Sequence, residues 1–287
     1  MLFRHSEDRL PVLIFSSMAA VDVAAYLLVD SLWLLIPYFV LMIIPKGICS
    51  AWNHHHQHAP TFRSAPLNRL LEFIYGLHTG MPTNMWVLHH VLGHHVNYLD
   101  QSKDESGWTR KDGTQMGELE YTVHIALTAY PRALAVGKRY PRIRRDFLIF
   151  GGLAWATAGL LVWARPAQGL LLYVLPMITT IFYTSWVTYD HHAGLRATEH
   201  IAGSYNILND WFNRLSGNLG FHTAHHWRPG VHWSRLPALH ERIKDGIPAH
   251  CYTKTLFDAV LPNPPSDEQD HRDAPAAPMQ SPDLEAH

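Results

Sequence analysis

Cysteine and charged residues are both scarce in this chain, and each scarcity excludes a class of protein. Cys49 and Cys251 are the only two cysteines among 287 residues, too few for a disulfide scaffold and without the CxxC spacing of a thiolate zinc site. Charged residues make up 16% of the chain, against about 25% in typical soluble proteins. With a formal net charge of −1, the composition gives no reason to expect a nucleic-acid partner.

Four apolar segments account for the low charge. The mean hydropathy of −0.09 hides them, because it averages them with a polar, histidine-rich half. The first segment holds one acid, Asp22, and as a helix its 18 residues extend about 27 Å, close to the thickness of a bilayer core. A second segment follows directly after Asp30 and Ser31, which argues against the alternative of a cleaved signal peptide. The segments are residues 12–29, 32–44, 147–164 and 169–189.

These segments predict an all-α integral membrane protein with four transmembrane helices arranged as two hairpins. Amphipathic stretches at 67–75 and 118–136 predict two further helices that lie on the membrane surface. The histidine-rich stretches between the segments would then emerge on one face as a helical cap. Residues 1–261 are expected to form this domain, and the proline and acid of residues 262–287 predict a disordered C-terminal tail.

Histidine, in contrast, is abundant, with 22 residues. On an α-helix, His90 and His94 would be one turn apart and share a face, with His95 about 100° further round. Neutral imidazole is the commonest protein metal ligand, so such clusters predict a metal protein. The clusters are residues 54–58, 89–95 and 222–226, with a pair at 191–192.

Nine of these histidines are the predicted metal ligands. One metal seldom takes more than about six ligands, so nine imidazoles imply two metals. Imidazole suits iron, copper, zinc and nickel, but structural zinc sites are closed and usually contain thiolates. Nitrogen ligation with open positions fits oxygen activation by iron. The predicted ligands are His54, His58, His90, His94, His95, His192, His222, His225 and His226.

Other residues in the same stretches are candidates to support the ligands. Asp100, Asp104 and Asp190 could orient ligand imidazoles, with a solvated loop as the alternative for the first two. His191 directly precedes His192 and could support it in the same way. The histidines predicted to be supporting, structural or exposed are His55, His56, His78, His89, His124, His200, His232, His240 and His250.

The spacing of the clusters resembles the membrane fatty acid desaturase superfamily, which also includes alkane hydroxylases and carotenoid-modifying enzymes. The boxes read HxxxH at 54–58, HxxxHH at 90–95 and HxxHH at 222–226, and a HHxxP and WxxLP ending follows at 225–237. The resemblance covers about residues 12–243. In alkane hydroxylases the lone histidine is followed by a variable residue and then Gly-Leu, and that order selects His192 over His191.

This resemblance implies an O2-dependent enzyme with two iron ions that removes hydrogen from a fatty acyl or lipid-like chain. The architecture and the ending favour a desaturase, which forms an alkene. The HxxxHH box at 90–95, followed by acids, favours the alternative, an alkane or acyl-chain hydroxylase. No stretch resembles a fused electron carrier, so a separate donor of ferredoxin, rubredoxin or cytochrome b5 type is expected.

A membrane metal transporter is the competing class, but transporters place polar ligands near the bilayer midplane, and the apolar segments here contain no histidine. Basic residues predict the orientation. Lys46, Arg63, Arg69, Lys103 and a basic run at 138–145 fall on the histidine face. By the positive-inside rule this face and both termini are cytoplasmic, and a bacterial inner membrane is expected. The basic run is predicted to contact lipid headgroups, with docking of an acidic electron carrier as the alternative.

Overall fold

The computed structural model describes residues 2–263 and is all-helical within that range. Nearly all of the tail predicted for residues 262–287 therefore lies outside the described residues. The α-helices are α1 Arg9–Leu28, α2 Leu32–His58, α3 Ala65–Thr79, α4 Glu118–Gly137, α5 Pro141–Ala164, α6 Pro166–His192, α7 Asp210–Ser216, α8 His222–Trp227, α9 Leu236–Ile243 and α10 Leu256–Val260. A π-helix covers Val87–His94, and α6 widens to a π-helix over Leu170–Val174.

Among residues 2–263, four helices are long and apolar enough to cross a membrane, namely α2, α5, α6 and α1 with the turn before it. Many of their large apolar side chains face outward: Leu28 is 80% exposed, Trp33 87% and Trp163 83%. Soluble proteins rarely expose apolar surface so extensively, whereas a helix in contact with lipid must do so. The predicted all-α class with four membrane-type helices is confirmed.

Two of these helices continue past the C-terminal end of the apolar segment that predicted them. Helix α2 begins at Leu32 and ends at His58, so its last turns carry the first histidine cluster. Helix α6 ends at His192 and carries the pair. The extension of α2 also corrects one assignment: Lys46, counted on the histidine face, is only 1% exposed and forms an ion pair with Asp22 of α1.

Helices α3 and α4 match the two predicted amphipathic helices, and their position on a membrane surface stays a prediction. Helix α3 ends at Gly80, whose φ of 68° is the left-handed conformation that favours glycine at a helix end. Between α3 and α4, an apolar cluster that includes Met85, Leu88 and Ala133 packs the π-helix onto α4. A second cluster, with Ala224 and Leu236, fixes α8 against α9. These contacts set the positions of two histidine stretches.

Candidate metal centre

Each predicted ligand lies at the end of a packed helix. His54 and His58 occupy the last turn of α2, and His192 is the last residue of α6. The π-helix supplies the central histidines, and α8 supplies the third cluster. The structure brings all nine side chains together in two neighbouring groups.

The first group contains five histidines whose ligand nitrogens lie within 4.8 Å of one another. His90 Nε2 is 2.8 Å from His54 Nε2 and 2.9 Å from His95 Nε2. His95 Nε2 is in turn 3.0 Å from His225 Nε2. The fifth member is His58, whose ring centroid lies 4.7 Å from that of His225.

The second group is built around His94, His192 and His226, whose ligand nitrogens also lie within 4.8 Å of one another. His94 Nε2 is 3.1 Å from His192 Nε2. His222 joins them, because its Nε2 is 3.0 Å from His192 Nε2 and 3.2 Å from His226 Nε2. The two groups are adjacent: the rings of His95 and His226 stack with centroids 4.2 Å apart.

The central stretch is a π-helix rather than an α-helix, and His90 and His94 still share a face of it, as predicted. The His95 amide donates to the His90 carbonyl at 2.8 Å, the i to i+5 bond of a π-helix. The wider turn places His90 and His95 in the first group and turns His94 into the second. The rings of His90 and His94 still stack, 5.0 Å apart, across the boundary between the groups.

Burial favours the neutral form of eight of the nine imidazoles. Burial lowers the pKa of His90, His225 and His226 well below the usual value, and neighbouring imidazoles lower it further by repelling the charged form. Neutral imidazole offers a lone pair to a metal, whereas the protonated form offers none. The groups are therefore ready to bind a cation near neutral pH.

The donor set fits metal ions. A metal–nitrogen bond of about 2.1 Å places adjacent ligand nitrogens about 3 Å apart, and neighbouring Nε2 atoms here are 2.8 to 3.2 Å apart. Among the described residues both groups consist of histidines alone, so each offers a set of nitrogen donors to a metal ion. Of the nine predicted ligands, four have a buried Nδ1 with no hydrogen-bond partner within residues 2–263, namely His54, His95, His222 and His226.

Two ligands of the second group form hydrogen bonds through Nδ1, the ring nitrogen that faces away from the group. His94 Nδ1 lies 2.7 Å from Asp104 Oδ1, and the Asp104 side chain is only 1% exposed. His192 Nδ1 lies 2.9 Å from the Gly203 carbonyl oxygen. Both acceptors favour the proton on Nδ1, which leaves Nε2 free to face the group. The sequence had offered Asp104 as such a support.

The other three candidates for supporting the ligands differ in their distance from the histidine groups. The Asp100 side chain is 43% exposed and pairs with Lys103, so the structure does not bring it to the histidines. Asp190 is exposed, because two residues along a helix rotate it about 200° from His192. His191 stacks on His222 with centroids 4.1 Å apart and lies behind the second group.

Tyr98 is a neighbour of the site that the sequence did not reveal. Its ring lies 4.2 Å from that of His226, and its hydroxyl is 2.9 Å from His200 Nδ1. The only signal in the sequence is its spacing four residues after His94. His55, placed correctly as a supporting residue, lies 3.0 Å through Nε2 from the Ser216 carbonyl oxygen.

Comparison with known proteins decides the family. A model of the fatty acid desaturase family matches residues 31–257, which include all nine histidines. The chain belongs to the fatty acid desaturase family. The membership confirms the resemblance seen in the sequence.

Three plant proteins are similar to this desaturase family member. They are the chloroplastic omega-3 fatty acid desaturase of Ricinus communis (25% identical; 62% of this chain, 46% of the relative), the chloroplastic sn-2 acyl-lipid omega-3 desaturase (ferredoxin) of Helianthus annuus (25%; 62% and 48%) and the chloroplastic omega-3 fatty acid desaturase of Sesamum indicum (25%; 62% and 48%). The chain spans about half the length of the curated relatives it matches.

Proposed function

We propose that this protein is an O2-dependent di-iron membrane oxidoreductase that desaturates a fatty acyl or lipid-like chain. One observation carries the proposal: nine imidazoles form two adjacent groups of five and four, and three of them come from the ends of the membrane-type helices α2 and α6. Membership of the fatty acid desaturase family supports the reaction type.

Nine histidines would hold the two iron ions, five in the first group and four in the second. When bound, the irons supply the O2 and redox chemistry that removes two hydrogens from neighbouring carbons of the chain. The first iron would be held by His54, His58, His90, His95 and His225, and the second by His94, His192, His222 and His226.

The chain's own residues prepare this centre. Asp104 and the Gly203 carbonyl hold the Nδ1 protons of His94 and His192, so that each ring presents Nε2. The Trp86 ring packs edge-on against His54 at 5.0 Å and covers the first group with apolar surface. Such packing fixes the imidazoles and limits water at the reacting carbon.

The substrate is expected to reach the centre from the bilayer, because the histidine groups continue directly from the ends of α2 and α6. The printed names of the relatives, which act on fatty acids or acyl lipids, support this substrate class. One relative's name contains ferredoxin, which supports a separate iron–sulfur donor, with a rubredoxin or cytochrome b5 type as the other candidates.

The same proposal includes topology. The helices would cross as two hairpins, α1 with α2 and α5 with α6, and place the histidine cap and both termini in the cytoplasm of a bacterium. In the variant Asp100→Cys, an impermeant thiol reagent should label permeabilised cells and not intact cells. The native Cys49 and Cys251 are buried, so the background is low. Labelling of this variant in intact cells would show that the histidine cap faces the outside of the cell.

Product analysis tests the reaction. The purified, iron-loaded protein is incubated with acyl lipids, 18O2, a reductant and an electron carrier, and the products are read by mass spectrometry. A desaturase gives a product that has lost two hydrogens and carries no 18O. A product heavier by one 18O would show that the reaction is hydroxylation, the outcome that the 90–95 box spacing favours. The assignment of the metal centre would then stand unchanged.

A further inference from the structure

A groove of about 800 Å³ lies beside the second histidine group, between the loop 98–113 and the segment 192–203. Among its lining residues are Tyr98 and His192, both close to the centre. His192 is one of the four histidines of the second group, and the Tyr98 ring lies 5.6 Å from it. A molecule that enters this groove from the solvent therefore approaches the metal centre at one of the nine histidines, His192.

The groove is positively charged. Its lining includes three cations, Arg110, Lys111 and Arg196, and one carboxylate, Asp100. Asp100 is neutralised by Lys103, which lies outside the groove lining. Arg110 pairs with Glu120, but neither Lys111 nor Arg196 forms an ion pair with any residue in the described range. The unpaired charges can attract an acidic partner.

The groove opens between two loop segments with exposed cations at its rim. Lys111 and Arg196 are the exposed cations there, and apolar residues such as Leu99 and Leu195 also line the groove. The Arg196 guanidinium stacks over the ring of Trp108, which is itself 2% exposed. This contact fixes the position of the cation at the rim. A lipid would instead approach along the exposed apolar faces of α2 and α6.

A second basic surface offers the contrast. The basic run 138–145 lies at the opposite end of α4, which spans about 30 Å over its 20 residues, and it leads into the membrane-type helix α5. Its position suits lipid headgroups. It does not line the groove, and no histidine of the centre belongs to it.

We propose that the groove is the docking site of an acidic one-electron carrier protein, and that electrons enter through His192. The inference rests on the proposed function, since an enzyme that reduces O2 to water during desaturation needs a donor of two electrons. In each encounter the carrier's reduced iron gives up one electron and the oxidised metal centre gains it. Two encounters supply the two electrons that, with two protons and the two hydrogens of the substrate, reduce O2 to two waters.

The test measures carrier binding directly, on the full chain in lipid nanodiscs, with a plant-type [2Fe–2S] ferredoxin and a rubredoxin as probes. Lys111→Glu should weaken the binding of at least one carrier about tenfold and flatten its salt dependence, because charge reversal at a rim acts mainly on association. Arg196→Gln should weaken it less. The matched control, Arg142→Glu in the basic run, should bind as the wild type does.

Reduction kinetics separate this inference from the proposed function. In iron-loaded Lys111→Glu, reduction of the centre by carrier should slow about tenfold, while reduction by dithionite stays unchanged. Unchanged binding and reduction in Lys111→Glu, an equal loss in Arg142→Glu, or no binding of either carrier to the wild type would each overturn the docking site. A groove that instead binds anionic lipid vesicles in a Lys111-dependent manner would also overturn it. Absence of product with dithionite in the wild type would remove the proposed function itself.

Discussion

Two of the buried polar clusters among the described residues differ in how their polar groups are paired. In one, Lys46 Nζ of α2 lies 2.8 Å from Asp22 Oδ2 of α1, and His78 Nδ1 of α3 lies 3.3 Å from the same oxygen. Tyr38 donates to Asp22 Oδ1 at 2.7 Å, and Lys46 also donates to the Leu172 carbonyl at 2.8 Å. Each charge therefore has a partner within the protein.

The histidine groups are the opposite case. Their nitrogens converge on one another at about 3 Å, and four rings lack any partner on Nδ1 among the described residues. A buried polar group without a partner destabilises a protein, so a cluster that keeps several of them needs another function. The ion-paired cluster joins α1, α2 and α3, whereas the histidine groups contain no such ion pair between their members and could hold metal ions.

The largest effect is expected where a histidine of the centre is removed. His94→Ala or His225→Ala should abolish product formation and lower the iron content, because each deletes a ligand from one group. Metal analysis and product assays on the purified variants measure both. His250→Ala, at an exposed position outside the groups, is the control and should behave as the wild type. Full activity in His94→Ala would refute the assignment of that group.

Acid should distinguish the clusters in the metal-free protein. The pKa of His90, His225 and His226 is lowered in the folded state by burial and by neighbouring imidazoles, whereas an unfolded histidine titrates near 6.5. Above that pH both states are neutral and no stability is lost; below it only the unfolded state gains protons. Each such histidine then costs about 1.4 kcal/mol of stability per pH unit.

Thermal unfolding of the metal-free protein between pH 8 and pH 5 measures this effect. The melting temperature should stay level down to about pH 6.5 and then fall steeply. Iron loading should move the fall to lower pH, because the metal competes with protons for the same nitrogens. A melting temperature that is flat through pH 5 would contradict neutral imidazoles in the groups.

Breaking the intramembrane ion pair should destabilise the fold without touching the metal ligands. Lys46→Met leaves the Asp22 carboxylate buried without its charge partner, a change that typically costs about 3–5 kcal/mol. Thermal unfolding in detergent should show the loss. The double variant Lys46→Met with Asp22→Asn should recover part of it, because no net charge then stays buried. Equal stability of wild type and Lys46→Met would contradict a structural function for this cluster.

Asp104→Asn should have the smallest of these effects. Loss of the carboxylate behind His94 weakens the orientation of one ring, and such changes typically lower metal affinity about 10–100-fold. Iron titration should show this loss at one of two sites. Asp100→Asn is the matched control in the same loop, since its carboxylate pairs with Lys103 at the surface. An equal effect in both variants would refute the special position of Asp104.

Much of this architecture could be predicted from the sequence. Hydropathy predicts the four membrane-type helices because lipid contact demands a long apolar stretch. The box spacing predicts the nine histidines as one set of ligands, and the structure brings all nine side chains together. The grouping could not be predicted, since the assignment of His90 and His94 to different groups depends on a π-helical hydrogen bond that leaves no periodic signal.

The supporting residues were harder to predict for a related reason. Asp100 and Asp104 lie in one polar loop, and only the fold of that loop turns Asp104 inward and Asp100 outward. Lys46 and Asp22 lie on different helices, so their pairing requires the packing of α1 on α2. Sequence patterns report which face of an element is apolar, and they carry little information about contacts between elements.

The iron content of the purified wild-type protein tests the central claim most directly. Elemental analysis against quantified protein gives the number of metal ions per chain. Two groups of imidazoles predict two iron ions per chain in the active enzyme. A fully active preparation with one iron per chain, or with zinc in place of iron, would contradict the di-iron centre.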